Sequence, residues 1–139
     1  MKKRKTNAKL LDECAVLLQK IVRMKAAIHD KSPIIRCVTC GKQDHWKNMQ
    51  GGHWISRTWT VHKVTEENIH PQCISCNAYR PERVADDYTL YMIETYGQSW
   101  VEMMIKSKRT VCKRPRAEIM ELKEELKARV KELVEKVPL

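Results

Sequence analysis

Two short cysteine pairs constrain this chain more than any other feature. Cys37-Val38-Thr39-Cys40 and Cys73-Ile74-Ser75-Cys76 each present two thiols from one tight turn. Two such hooks supply the four thiolates of a tetrahedral zinc site, and a closed shell of this kind has no open position for a substrate. The zinc is read as structural, and the chemistry belongs to the residues it holds in place. Residues 41–72 separate the hooks, enough chain for a hairpin that the metal would staple to the following helix.

Disulfides are the rival use of six cysteines. No apolar signal segment precedes them, because Met1-Lys2-Lys3-Arg4-Lys5 leads straight into an amphipathic pattern. A reducing, intracellular compartment is expected, where paired hooks bind metal. Cys14 and Cys112 are left over, each a small buried apolar residue or a free thiol. No stretch approaches the roughly 18–20 apolar residues that span a membrane.

Lys and Arg total 27 against 17 Asp and Glu, a net charge of +10. A surface this basic suits a polyanion, nucleic acid before others. The charge is densest over residues 106–116, where six of 11 residues are basic and none is acidic. Lys106, Lys108, Arg109, Lys113 and Arg114 are the phosphate-contact candidates there, with Arg57 upstream. A solvated linker, and for Arg57 a surface ion pair, are the plainer uses of the same residues.

The pattern divides the chain into three stretches. Residues 1–33 hold a basic arm (1–6) and an amphipathic helix from an Asn7 cap to about His29, ended by Ser32-Pro33. Leu10, Cys14, Leu17, Ile21, Met24 and Ile28 form its seam. Residues 34–110 form the core. Ile34–Arg36 is a short strand, Gly41 suits a positive φ, and residues 44–64 read as a hairpin or paired extended segments. Gly51-Gly52 marks a close backbone approach or a bulge.

The second hook should start a helix that Pro81 interrupts. Asp86 or Asp87 caps the next helix, about 87–96, stopped by Gly97; Ser99 and Glu102 form a capping box for another, to about Lys108. Residues 111–139 hold a last helix started by Pro115, with Ile119, Leu122, Leu126, Val130, Leu133 and Val137 in one stripe. It should pack on the first helix, within the chain or across a dimer. The fold class is α+β, mainly helical. Trp46, Trp54 and Trp59 read as packing residues, His45 and His62 as surface residues, and His29 as a dipole partner at a helix end.

Hydrolysing a phosphodiester needs an activated water, a cation on the scissile phosphate and charge relief on the leaving oxygen. His53, after the Gly-Gly step, can serve as the base. Asn77, directly after the second hook, offers a hard oxygen to Mg²⁺ or Mn²⁺. Asn68 completes the catalytic set by bracing the loop before Cys73. His70 has two uses, a donor to a zinc thiolate or a ligand of the cation.

These residues resemble the HNH, or ββα-metal, nuclease superfamily, whose pattern reads here as His53, Asn68 and Asn77. An Asn directly after the second hook is similar to the endonuclease VII zinc arrangement. A closer resemblance is to the lambdoid phage recombination endonucleases called NinG or Rap. It is carried by Cys37–Gly41, Gly52–Arg57 and Glu67–Asn77, with Tyr91 and Ile93–Gly97 like the helix that follows, and it covers roughly residues 34–105. The resemblance implies a zinc-stapled ββα-metal core between long terminal helices. It also implies a structure-selective DNA endonuclease acting on branched recombination intermediates such as Holliday junctions and D-loops. The implied setting is the cytoplasm of a bacterial host, with recombination proteins as partners.

The chain departs from the superfamily pattern at Gly52, where many members carry an acidic metal ligand, and at Pro81-Glu82-Arg83-Val84. The second cation ligand would then come from Asp44, His70, His62 or His53 itself. A resolvase that makes paired cuts is most simply a symmetric dimer, which the terminal helices permit. The alternative function is a non-catalytic zinc module that binds DNA or assists recombination. A protein-interaction adaptor built on the terminal helices has the least support.

Overall fold

A computed structural model describes residues 3–139; Met1 and Lys2 of the basic arm lie outside the described residues. The longest element, α1 (Asn7–Asp30), is the spine of the molecule. Thr6, not Asn7, caps it, its hydroxyl accepting from the Lys9 N–H at 3.1 Å. An extended residue with a short oxygen-bearing side chain is what an N-cap needs, and Thr6 supplies it one position before the expected cap. Lys31 stops the helix in the left-handed region, at φ 54.

The two ends of α1 pack on different partners. Toward its N-terminus, Leu10, Leu11, Cys14, Leu18, Ile21 and Val22 meet Ile119 and Leu126 of α4 (Arg116–Lys136) and Ile69. Toward its C-terminus, Met24 and Ala27 join Ile35, Trp46, Met49 and the cysteines of both hooks in a second core. The seam read from the sequence is therefore filled within one chain by α4. Full burial of such aliphatic side chains is worth about 1.5–3 kcal/mol each. Glu66 reinforces the arrangement by pairing with Arg129 of α4 at 2.6 Å and with Lys25 of α1 at 2.6 Å.

The small strands serve the hooks. β1 (Ile34–Arg36) pairs antiparallel with β2 (Gln43–His45) on either side of the first hook. Gly41 turns that hook at φ 80, a value open to glycine without strain, and its N–H donates to the Cys37 carbonyl at 2.9 Å. β3 (Gln50–His53) pairs antiparallel with β4 (Ile69–Gln72), Gln50 opposite Gln72 and His53 opposite Ile69. This corrects the expected hairpin over residues 44–64. β3 takes its partner from beyond residue 64, and residues 54–68 form an irregular loop with two 3-10 turns. The apolar and β-branched residues of that loop are anchors to other elements, as with Ile55 and Trp54, not rungs of a ladder.

After β4, residues Ser75–Tyr79 make one π-helical turn, and Pro81–Val84 a 3-10 turn. The interruption falls where Pro81 was expected to break the helix. α2 (Ala85–Tyr96) follows, with Asp86 and Asp87 in its first turn and no side-chain cap. α3 (Gln98–Ser107) begins one residue before Ser99, so the expected capping box does not form; Gln98 donates to Glu102 instead, at 3.1 Å. Tyr88, Met92 and Val101 form the third core, with Trp54 and Trp100 against it. Among the described residues, no helix is long and apolar enough to cross a membrane.

Candidate functional site

The hooks converge. The Sγ atoms of Cys37, Cys40, Cys73 and Cys76 all lie within 4.8 Å of one another. Cys40 and Cys73 are 3.7 Å apart, far beyond a sulfur–sulfur bond. Four ligands about 2.3 Å from a central zinc sit at such separations. Three of the four cysteines are buried, and the Lys42 N–H points at the Cys40 sulfur at 3.5 Å. The geometry of the four sulfurs is what suits a metal, and the protonation equilibria show what its binding would have to shift. Burial pushes the Cys76 thiol up to about 12, with the neighbouring thiols adding to the push. Burial also opposes ionisation of Cys37, but the Thr39 hydroxyl and nearby backbone N–H groups prevail and hold it at about 6. Thiolates crowded this closely need a cation among them, and zinc is the ion that suits four sulfurs.

Beside the cluster lies an open cleft of about 510 Å³, lined among others by His53, Arg57, Gln72, Asn77, Glu82 and Tyr88. His53 ends β3, and its Nε2 lies 2.8 Å from the Lys63 carbonyl oxygen. A carbonyl can only accept, so Nε2 carries the proton and Nδ1 keeps a free lone pair. Burial lowers the pKa of this imidazole, and the nearby Arg57 and Lys63 charges lower it further, so the neutral form prevails near pH 7. Asn77 lies in the π-helical turn, its N–H bonded to the Cys73 carbonyl at 3.0 Å, and its amide donates to Gln50 Oε1 at 2.7 Å. The glycine pair allows the close approach its sequence suggested. A Cβ on Gly51 would fall 2.6 Å from Gln19 Cα of α1.

Asn68 sits behind the cleft wall, with no exposed surface. Its oxygen accepts from the Ile55 N–H at 2.8 Å, and its amide donates to the Ile55 and His62 carbonyls at 2.9 and 3.1 Å. Every polar atom of the side chain is used to brace the loop that follows His53. Asn68 is thus a positioning residue, and it does not line the cleft.

His70 is not brought to Asn77. It is buried in a tyrosine cage, Nε2 2.9 Å from the Tyr96 hydroxyl and Nδ1 3.3 Å from that of Tyr88. Tyr88 donates to the Gly52 carbonyl at 2.7 Å, so its oxygen accepts from Nδ1–H and Tyr96 donates to Nε2. Burial drives the His70 pKa down to about 4, which keeps this relay neutral and fixed. The relay holds β3 at the residue before His53. His62, expected on the surface, is buried instead and bonds Ser107 of α3 at 2.8 Å. Asp44 accepts from the His45 N–H and from Asn48, and does not line the cleft.

Arg57 lines the cleft on the loop after His53. The basic segment folds against the same loop. Lys108 Nζ and the Arg109 guanidinium lie 5.5 and 5.3 Å from the Trp59 ring centre. Trp59 is therefore a platform for cations rather than a core residue. Arg114 donates to the Thr60 and Val61 carbonyls at 3.2 and 3.1 Å and anchors the segment. Lys106 and Lys113 are on the same stretch, outside the cleft lining. Three contributors escaped the sequence reading. Gln72 lies directly before the second hook; Glu82 lies in the Pro-Glu-Arg-Val step; Thr39 is inside the first hook.

A family model described as NinG, Bacteriophage Lambda NinG protein, matches residues 1–136. No curated protein and no solved structure matches the chain.

Proposed function

We propose that this chain, which belongs to the bacteriophage Lambda NinG family, is a metal-dependent DNA endonuclease of the HNH type that acts on branched recombination intermediates. The observation that carries the proposal is the His53 ring. Its Nε2 proton is committed to a backbone carbonyl, its Nδ1 lone pair is left free, and the residue lines a cleft shared with Asn77, Glu82 and Arg57. That is the equipment of a general base beside a phosphate site. Two antiparallel strands followed by a helical turn, with a four-cysteine cluster at their edge, support this reading.

The residues divide the work. His53 Nδ1 takes the proton of the attacking water, while the Lys63 carbonyl fixes the tautomer and steadies the imidazolium that forms. Arg57 pairs with a phosphate oxygen. Asn77 would hold Mg²⁺ or Mn²⁺; the chemistry such an ion supplies when bound is charge neutralisation on the scissile phosphate and the leaving oxygen. Lys106, Lys108, Arg109 and Lys113 hold flanking phosphates and carry no base preference. Cys37, Cys40, Cys73 and Cys76 would hold zinc, which would supply structural order to the turn that carries Asn77.

The branch preference rests on the resemblance and is tested by substrate. The zinc-loaded protein, given Mg²⁺ or Mn²⁺, is expected to nick a synthetic four-way junction and to leave the matched linear duplex intact. Equal cutting of both would remove the branch selectivity. Tight binding without cutting under either ion would return the chain to a non-catalytic DNA-binding module.

A further inference from the structure

The cleft holds a second convergence, built on Gly52. A Cβ at Gly52 would lie 1.7 Å from Gln72 Oε1 and 3.0 Å from Asn77 Oδ1. Two amide oxygens therefore close over one backbone position, which has no side chain. They are at most about 4.7 Å apart, a range that includes the roughly 3.0–4.2 Å between two ligands each about 2.1 Å from one Mg²⁺ or Mn²⁺.

Both amides are turned this way by bonds on their nitrogen sides. Asn77 Nδ2 donates to Gln50 Oε1 at 2.7 Å, and Gln72 Nε2 donates to Thr39 Oγ1 at 3.1 Å. Thr39 in turn lies 3.3 Å from Cys37 Sγ. With its nitrogen on Thr39, the Gln72 amide presents its oxygen on the other side, over Gly52 and toward the cleft. Gln72 is 3% exposed, yet no donor among the described residues reaches its Oε1, which opens onto the cleft. An amide oxygen that opens onto a cleft with no donor beside it is free to ligate a hard cation. Glu82 is the only carboxylate among the residues lining the cleft, and it supplies the charge that two neutral amides lack.

We propose that Gln72 Oε1 and Asn77 Oδ1, with the Glu82 carboxylate of the same cleft, form the binding site for one divalent cation of the Mg²⁺ or Mn²⁺ class. In this site Gln72 takes the part that an acidic residue at position 52 takes elsewhere in the superfamily. The two solutions exclude each other, because any side chain at position 52 occupies the place of the Gln72 oxygen. The site also depends on the zinc cluster through Thr39 and through Asn77, the residue after Cys76. This inference rests on the nuclease reading for the use of the cation, and its test reads binding without DNA.

The test is Mn²⁺ binding to the zinc-loaded full chain, followed by electron paramagnetic resonance of the free ion. Gln72→Leu is expected to weaken Mn²⁺ binding about tenfold or more with zinc content unchanged, and Glu82→Gln, which removes the cleft's carboxylate from an exposed position and leaves the Thr39 bond untouched, to weaken it as well. Unchanged affinity in Gln72→Leu would overturn the site. Should that variant lose zinc, Glu82→Gln decides alone, and unchanged affinity overturns it. Gln72-dependent binding in a protein that cuts no DNA would uphold the site and sink the nuclease reading. DNA cutting with Gln72-independent Mn²⁺ affinity would overturn the site and leave the nuclease reading intact.

Discussion

At the scale of single residues, the side chains of this site are set by what they donate to. The proposed base role of His53 rests on the Lys63 carbonyl, which takes the proton of its other nitrogen, and on burial, which with Arg57 and Lys63 nearby favours the neutral ring. Its pKa lies below the ordinary histidine value of 6.5, so the base form persists as pH falls through that value. The acid limb of the cleavage profile is therefore expected below about pH 6.5, and a limb centred above it would contradict the assignment. Asn68 contributes no chemistry and much order. Asn68→Ala strands one buried N–H and two buried carbonyls and is expected to cost about 3 kcal/mol in urea unfolding, with cleavage lost through disorder of the His53 loop.

Much of the candidate site was legible at this scale, and its limits have physical causes. Cysteine spacing announces a metal cluster because two hooks have few other uses in a reducing compartment. The Gly-Gly step announces close packing because nothing larger fits there. Gln72 was hidden because glutamine is a commonplace residue whose meaning lies in which way its amide is turned. That direction depends on Thr39 and Cys37, which no local pattern links to it. His62 looked like a surface residue because its burial comes from α3, 45 residues downstream.

At the scale of elements, helices were easier to read than strands. The α1 and α4 stripes repeat over many turns, whereas the strands have three or four residues each and β3 finds its partner across a long irregular loop. α4 is tied to the core by Glu66, which the Arg129 guanidinium, with Lys25 helping, holds at about 2 against an ordinary 4.5. A carboxyl with a depressed folded pKa stabilises fully above its unfolded value and loses that contribution as pH falls. Wild type should therefore exceed Glu66→Gln in stability above about pH 4.5, with the gap closing toward pH 2, as read by urea midpoints. A gap that persists unchanged into acid would show that the pair does not carry the docking. The basic segment makes its own prediction. Neutralising Lys108 and Arg109 together should reduce the slope of log affinity against log salt by about two. An unchanged slope would leave them as partners of Trp59 alone.

At the scale of the whole molecule, the cysteine cluster and α1 share one core, so the metal and the fold are linked. Structural zinc supplies folding free energy. Stripping it with a chelator, or Cys37→Ser, is expected to abolish the cooperative unfolding transition in calorimetry; a zinc-free protein that still melts cooperatively would contradict this. The same linkage explains how a small, strongly basic chain can hold a precise site beside an open cleft. Zinc held by the four cysteines would order the hooks and with them Thr39 and Asn77, while the tyrosine relay holds Gly52 next to His53.

The most direct measurement of the central claim is single-turnover cleavage of a four-way junction by wild type and His53→Ala in Mn²⁺. The two proteins would first be matched for zinc content and junction affinity. The account predicts cutting by wild type and a loss on the order of a thousandfold in the variant, as removal of a general base allows. Cutting by His53→Ala at the wild-type rate would contradict it, and would move the chemistry of this cleft away from His53.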